Sequence, residues 1–498
     1  MNMKFLLRKM WILALPAMFL VTSCDDLEVE NLNAASIDDV LGNPGDFPSL
    51  IEGTYIRWWR AIQQDWVGMP YTVMAQGGSS SWGNWGMQDL GTIPRNPIQN
   101  TLTYGNRYFM NNPWANLNGA LGQINEVLRV MNDNFDGLAV DPQTGEDQTN
   151  FVLANAKTVQ GLALGHLALF FDQAYPADES YSVVELAELD FAPYTEIAAL
   201  AVQKLEEAAA IYEANPSVVM REIPGEARSG ADAARFCRSY AAKIIAYSSR
   251  DANETASQVD WAKVLQLTSN GLQSDFSPQG DGGSAWWTRL LVNGQLALWM
   301  RASQRLVNEM EGGNQTTAPY PWPDGTASLP RITSPRDARL ADYFTYNSGV
   351  SFQAARGWYF FSNYNFSREQ EYLTAYATRM PHLTFNESEL LRAEAILRTG
   401  GSKATAAEII NRTRVGNGGI APLTGAESVD QLLREITYER LVEFSWDAAG
   451  STWFFRRTST ANDLQLLEGT PRHLPVPAFE LDLRGVTPYT YGGAGNER

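Results

Sequence analysis

Cysteine and histidine are scarce in this chain. Its 498 residues hold two cysteines, Cys24 and Cys237, and three histidines. Two cysteines argue against a disulfide framework. His166, His382 and His473 lie far apart, and none belongs to an HExxH or related zinc spacing. Basic residues are also in deficit: 38 Lys+Arg face 56 Asp+Glu, a formal balance of −18. That argues against nucleic acid, whose phosphates demand a basic surface, and against a polybasic membrane-docking patch. Long-range attraction for anionic ligands is not expected, which leaves neutral and amphipathic ones. Beyond the N-terminus, no apolar run approaches the ~20 residues that span a bilayer as a helix. No nucleophile elbow, P-loop or strand-linked GxGxxG is present, and no loop has the EF-hand pattern. No catalytic residue, metal site or cofactor is therefore expected.

What is there begins at the N-terminus. Lys4, Arg8 and Lys9 precede an apolar stretch from Met10 to Val21, too short to cross a membrane. It ends in Val21-Thr22-Ser23-Cys24, which resembles the lipobox of bacterial lipoproteins. There the cysteine thiol receives a diacylglyceryl group and the chain is cut before it. Several acyl chains on one residue anchor stably where one does not. The expectation is a removed signal peptide over residues 1–23, lipid on Cys24, a tether over 24–46 and one domain over 47–498. Removing the three basic residues of the signal takes the balance from −18 to −21. Cys237 then has no partner. It lies in an apolar helical stretch and reads as a buried, inert thiol.

Helical periodicity recurs along the domain. Apolar residues at i, i+3, i+4 spacing predict helices over 47–63, 113–131, 151–171, 194–212, 231–248 and 261–272, and later over 387–397, 405–412 and 429–444. Several neighbours have the size of helix hairpins, with small residues where helices would cross. Two regions lack this period. Residues 75–106, with Gly77-Gly78-Ser79-Ser80-Ser81-Trp82-Gly83-Asn84-Trp85-Gly86, read as a long irregular loop. Residues 276–380 are broken by Gly, Pro and Trp.

Tryptophan is abundant, with 15 in the chain, and several sit in those irregular stretches. An indole face stacks on the C–H face of a sugar ring while Asn or Arg bonds its hydroxyls. Trp82, Asn84 and Trp85 fit this best, then Trp286, Trp287 and Arg289, then Tyr320 and Trp322 between prolines, then Trp358 and Tyr359. The competing reading is that these rings pin long loops to the core. A stacked ring removes ~60 Å² of apolar surface, worth ~1.5 kcal/mol. Two or three rings with a few hydrogen bonds give about 4–6 kcal/mol, a Kd of roughly 1 mM to 40 μM. That strength suits capture and release.

The order of these signals resembles the SusD/RagB family of nutrient-binding outer-membrane lipoproteins over nearly the whole chain. Lys157-Thr158-Val159-Gln160-Gly161-Leu162-Ala163 and Phe170-Phe171-Asp172-Gln173-Ala174-Tyr175-Pro176 are similar to its first well-marked helix and turn. Glu389-Leu390-Leu391-Arg392-Ala393-Glu394-Ala395 resembles its "LLRAEA" helix. Ile436 to Phe444 resembles "I-x-x-E-R-x-x-E-L", and Leu474-Pro475-Val476-Pro477 with Glu480 resembles "hLPIPxxE". Arg456-Arg457 stands where the family has "D-L-x-R", with Phe454-Phe455 in place of Asp-Leu. The resemblance implies a mainly α fold of four tetratricopeptide-like helix pairs with long irregular loops forming the ligand face. It also implies a partner, a SusC-like TonB-dependent β-barrel transporter, and placement at the outer membrane. Asp25-Asp26 after Cys24 is similar to the acidic export signal of surface-exposed lipoproteins.

Glu439 and Glu443 share one helix face, with Arg440 between them. Paired carboxylates can serve a glycosidase, but neighbours on a single helix are rarely placed astride a substrate, so a structural salt-bridge network is expected. Three readings follow: an oligosaccharide-binding import lipoprotein, the same fold carrying peptide, and a tethered glycosidase.

Overall fold

The apolar stripes become helices that stack in pairs. α1 (Phe47–Trp59) packs with α2 (Tyr108–Phe135), and α3 (Thr149–Phe170) with α4 (Tyr194–Ala214). α5 (Gly230–Tyr247) packs with α6 (Trp261–Ser269), and α7 (Phe385–Arg398) with α8 (Lys403–Gly416). α2 packs on α3, α4 on α5 and α6 on α7, so the four pairs form a continuous stack. α9 (Val429–Phe444) closes it against α7 and α8. These are the four tetratricopeptide-like pairs that the family resemblance implies. The structure, a computed structural model, describes residues 41–64, 67–221, 223–312, 330–349, 353–357, 359–446, 453–458 and 466–498. Residues 44–498 form one compact unit.

Local chemistry starts and spaces these helices. Asp260, Thr384, Ser402 and Ser428 each accept a backbone N–H from the first turn, and Ser428 completes a capping box with Gln431. Gly161 and Gly165 let α3 approach its neighbours: a Cβ at Gly161 would collide with Leu205 of α4, and one at Gly165 with Ile244 of α5. The C-terminal carbonyls of α3 are capped by buried cations. Arg250 donates from Nη2 to Ala168 O at 2.6 Å and from Nη1 to Leu169 O at 3.2 Å. Arg456 donates from Nη2 to Leu169 O at 2.6 Å. Positive charge at the negative end of a helix is favourable, so Arg456 of the family-like Arg456-Arg457 pair is a helix cap.

The two irregular stretches hold more regular structure than their sequence shows. Short helices occur at Met87–Gly91 and Gln304–Glu311, and another, Gly68–Met74, lies just before the first stretch. Gly68–Met74 is buried throughout, which erases the amphipathic period that would announce it. Gly78–Ser79 pairs antiparallel with Arg301–Ala302, and Phe344–Tyr346 with Tyr364–Phe366. Ser303 bridges Phe361, Ser362 Oγ donates to Ala302 O at 2.7 Å, and Gln353 N donates to Ser81 Oγ at 2.9 Å. Arg301, 1 % exposed, ties the layer with bonds to the carbonyls of Ala297, Gly349 and Asn363. Residues 67–88, 282–308, 343–349, 353–357 and 359–368 thus build one loop layer.

Candidate functional site

The loop layer brings the first two predicted aromatic groups together. Trp82 and Trp85 come from its first segment, Trp287 and Arg289 from its second. Arg289 holds its guanidinium carbon 5.1 Å from the Trp85 ring centre and 4.7 Å from that of Trp287. Trp299 joins from the second segment. It stacks on Trp85 at 5.1 Å and 21°, and lies 5.7 Å from Trp82 at 37°. Arg356 of the third segment stands 5.9 Å from the Trp82 ring and donates from Nη1 to Ser81 O at 2.8 Å. The series Arg356, Trp82, Trp299, Trp85, Arg289, Trp287 is one column in which two cations flank three successive rings and a fourth ring follows, joined by cation–π and ring–ring contacts.

Backbone geometry supports the column. Trp85 has φ +56° and Gly86 φ +79°. A left-handed tryptophan costs roughly 1–2 kcal/mol, and residues held this way concentrate at functional sites. Gln76 and Phe360 of the same layer also have positive φ. Ser80 Oγ donates to Trp299 O at 2.7 Å, fixing the turn that carries that ring.

The predicted residues differ in their placement. Trp85 is 9 % exposed, enclosed by its column neighbours, whereas Trp82, Trp287 and Trp299 are half-buried and Asn84 is exposed. Trp286 faces the core at 4 % exposure, its ring 5.2 Å from Trp59. Tyr359 is buried. Tyr320, Trp322 and Trp358, and likewise Cys24, lie outside the described residues. Sequence reasoning missed Trp299 and Arg356. Trp299 follows Leu296-Ala297-Leu298, which reads as apolar core, yet Leu298 is 67 % exposed. Clefts of about 330, 440 and 460 Å³ lie on the helical part of the molecule, with no tryptophan in their walls. The column gathers four tryptophans for sugar stacking, where each cleft offers at most one aromatic ring.

Glu439 and Glu443 are closed to any substrate. Arg339 Nη1 lies 2.7 Å from a carboxylate oxygen of each, and the three side chains are 0–6 % exposed. Asn417 and Tyr343 donate further to Glu443, at 3.0 and 3.2 Å. The salt-bridge network is the expected one, but its cation is not Arg440. Arg440 turns the other way and donates to Glu394 at 2.8 Å.

The histidines are buried. Burial pushes the His166 imidazole down to about 3. His382, which meets Gln63 Nε2 at 2.9 Å, also falls well below its ordinary value by burial. His473 falls to about 2 through burial and the nearby Arg250, Arg456 and Arg498. Burial raises the Cys237 thiol to about 12, as befits an unreactive core cysteine. Among the described residues, no group of three His, Cys, Asp or Glu side chains is arranged to hold a metal ion, and no helix is long and apolar enough to cross a membrane.

The stack of helix pairs is an architecture shared by solved structures. No protein-family model matches the sequence, and no curated protein matches it. A SusD homolog from Bacteroides thetaiotaomicron superposes with a TM-score of 0.61 at 12 % identity, over 90 % of this chain and 97 % of the other. A SusD superfamily protein from Parabacteroides distasonis gives 0.59 at 13 %, over 89 % and 98 %. A SusD-like carbohydrate binding protein from Bacteroides fragilis gives 0.58 at 13 %, over 84 % and 86 %. The chain has the SusD-like fold.

Proposed function

We propose that this protein is a binding lipoprotein of the outer membrane, anchored through Cys24, that captures an oligosaccharide on the tryptophan–arginine column and delivers it to a SusC-like TonB-dependent transporter. The observation that carries this reading is the column itself, on the loop layer of a SusD-like fold. Its half-buried rings Trp82, Trp287 and Trp299 offer indole surface for sugar stacking, and Asn84 and the two arginines offer polar groups for hydroxyls. The closed state of Glu439 and Glu443 favours binding over hydrolysis.

Calorimetric titration with pooled oligosaccharides, then pooled peptides, tests the ligand class. Heat with the glycans, lost in a Trp82→Ala/Trp299→Ala variant, is the expected result. Heat with peptides alone overturns it in favour of peptide capture, a reading that Leu296 and Leu298 beside Trp299, at 39 and 67 % exposure, keep in view. Affinity purification from membranes tests delivery: a β-barrel partner is expected, and its absence refutes that role. Metabolic palmitate labelling, lost in Cys24→Ser, tests the anchor.

A further inference from the structure

The loop layer is depleted of acid in an acidic protein. The chain has 56 Asp+Glu in 498 residues, yet none occurs within 67–88, 282–308 or 343–368. Those segments carry Arg289, Arg301, Arg305, Arg356 and Arg368 instead. The described residues of these segments hydrogen-bond into one layer and supply every member of the column.

Four of the carboxylates that border these segments in sequence are already engaged, Glu309 by Arg434 at 3.2 Å. Asp89 accepts from the Tyr104 hydroxyl and, at 3.5 Å, from Asn106. Asp281 accepts the backbone N–H groups of Ser284, Ala285 and Trp286 at 2.9, 2.7 and 2.9 Å. Glu369 pairs with Arg368 at 2.9 Å. Among the described residues, no carboxylate pairs with Arg356.

The overall charge of −18 does not decide the local field. At physiological salt the Debye length is about 8 Å, so the remote negative surface is screened from a ligand seated on this layer. A guanidinium holds its N–H donors in one plane, a geometry that matches a carboxylate or sulfate. Arg356 and Arg289 stand at two places along the column, separated by the rings of Trp82, Trp299 and Trp85.

Resting on the oligosaccharide reading above, we infer that the ligand is an acidic oligosaccharide. Its sugar rings lie on the tryptophans, and its carboxylate or sulfate groups are read by Arg289 and Arg356.

The test is titration calorimetry of the full chain in detergent micelles with tetragalacturonate, its fully methyl-esterified form, a chondroitin sulfate tetrasaccharide and maltotetraose. At least one acidic probe is expected to bind tenfold or more tighter than both neutral sugars, and the two acidic probes separate carboxylate from sulfate reading. The preference is expected to fall toward one in Arg356→Gln and when NaCl rises from 50 to 500 mM, with Arg356→Gln retaining the parent's unfolding midpoint. Neutral sugars that bind as tightly as the acidic ones overturn the inference and leave the oligosaccharide reading standing. A preference unchanged in Arg356→Gln also overturns it. Binding of none of the four sugars overturns both.

Discussion

Arg457 grips Glu394 with two nitrogens, Nη1 on Oε1 at 2.9 Å and Nη2 on Oε2 at 2.5 Å. The contact joins two family-like motifs that lie 63 residues apart. Arg440 adds a bond at 2.8 Å and Arg398 one at 2.9 Å, so three arginines converge on one carboxylate that is 1 % exposed. Burial works to raise the Glu394 carboxyl, but the arginines outweigh it and hold it well below the usual range.

Glu394→Gln is therefore expected to destabilise the fold by about 3–5 kcal/mol, because it leaves buried guanidinium charge uncompensated. A carboxyl depressed in the folded state contributes its full stability above the unfolded value of about 4.3, and loses it as pH falls through the folded value. The gap between parent and variant should be widest near neutral pH, begin to narrow below about pH 4 and go on narrowing as pH falls toward the depressed folded value. Urea midpoints across that range check both the size and the sign. A gap that widens on acidification contradicts the assignment.

Gly165 is a point of close approach between α3 and α5. A Cβ there meets Ile244 Cδ1 and Cγ1. Gly165→Val should overpack the crossing and cost about 1–3 kcal/mol or more. Gly122 of α2 has open space where its Cβ would be, so Gly122→Ala should be neutral to stabilising, since alanine is the better helix former by ~1 kcal/mol. Thermal unfolding of the two variants side by side separates helix propensity from packing.

The helix pairs were legible because their amphipathic period survives on the surface of a stack. The stripe of Trp114, Leu117, Leu121, Ile124 and Leu128 lies within α2, all five buried. The helix there runs from Tyr108 to Phe135, longer than the stripe, and contains Pro113 in its second turn. Gly68–Met74 was not legible, since a helix buried all round has no polar face to mark it. The site was legible in part. Trp82 and Trp85 announced themselves beside glycine and asparagine. Trp286 and Trp287 are adjacent in sequence but face opposite ways, one toward Trp59 and one toward Arg289, and composition does not tell such neighbours apart. Trp299 and Arg356 reach the column through tertiary pairing alone, by way of the Gly78–Ser79 strand and the Ser81 carbonyl.

Arg339 gathers three carboxylates, Asp337 at 2.6 Å and Glu439 and Glu443 at 2.7 Å each. Arg339→Met should unfold the chain or lower its stability by about 3–5 kcal/mol, because it strands buried negative charge. Glu443→Gln keeps the bonds from Asn417 and Tyr343 within reach and should cost less. Neither the parent nor Glu443→Gln is expected to turn over chromogenic glycosides. Turnover by the parent that Glu443→Gln abolishes would restore the glycosidase reading.

Trp299 and Trp286 divide binding from stability. Trp299 is half-buried on the column, and its removal takes a stacked ring worth ~1.5 kcal/mol from the ligand surface, about tenfold in Kd. Trp286 is 4 % exposed and packs on Trp59, whose own Nε1 donates to Trp287 O at 3.0 Å. Trp286→Ala should cost about 3–5 kcal/mol of stability as a core truncation. Trp299→Ala should weaken oligosaccharide binding about tenfold while its unfolding midpoint stays close to that of the parent. Calorimetry and denaturation on the same two preparations decide this. If Trp299→Ala binds like the parent, ligand contact shifts to Trp82 and Trp287, and Trp299 serves only to hold Trp85 in its left-handed turn.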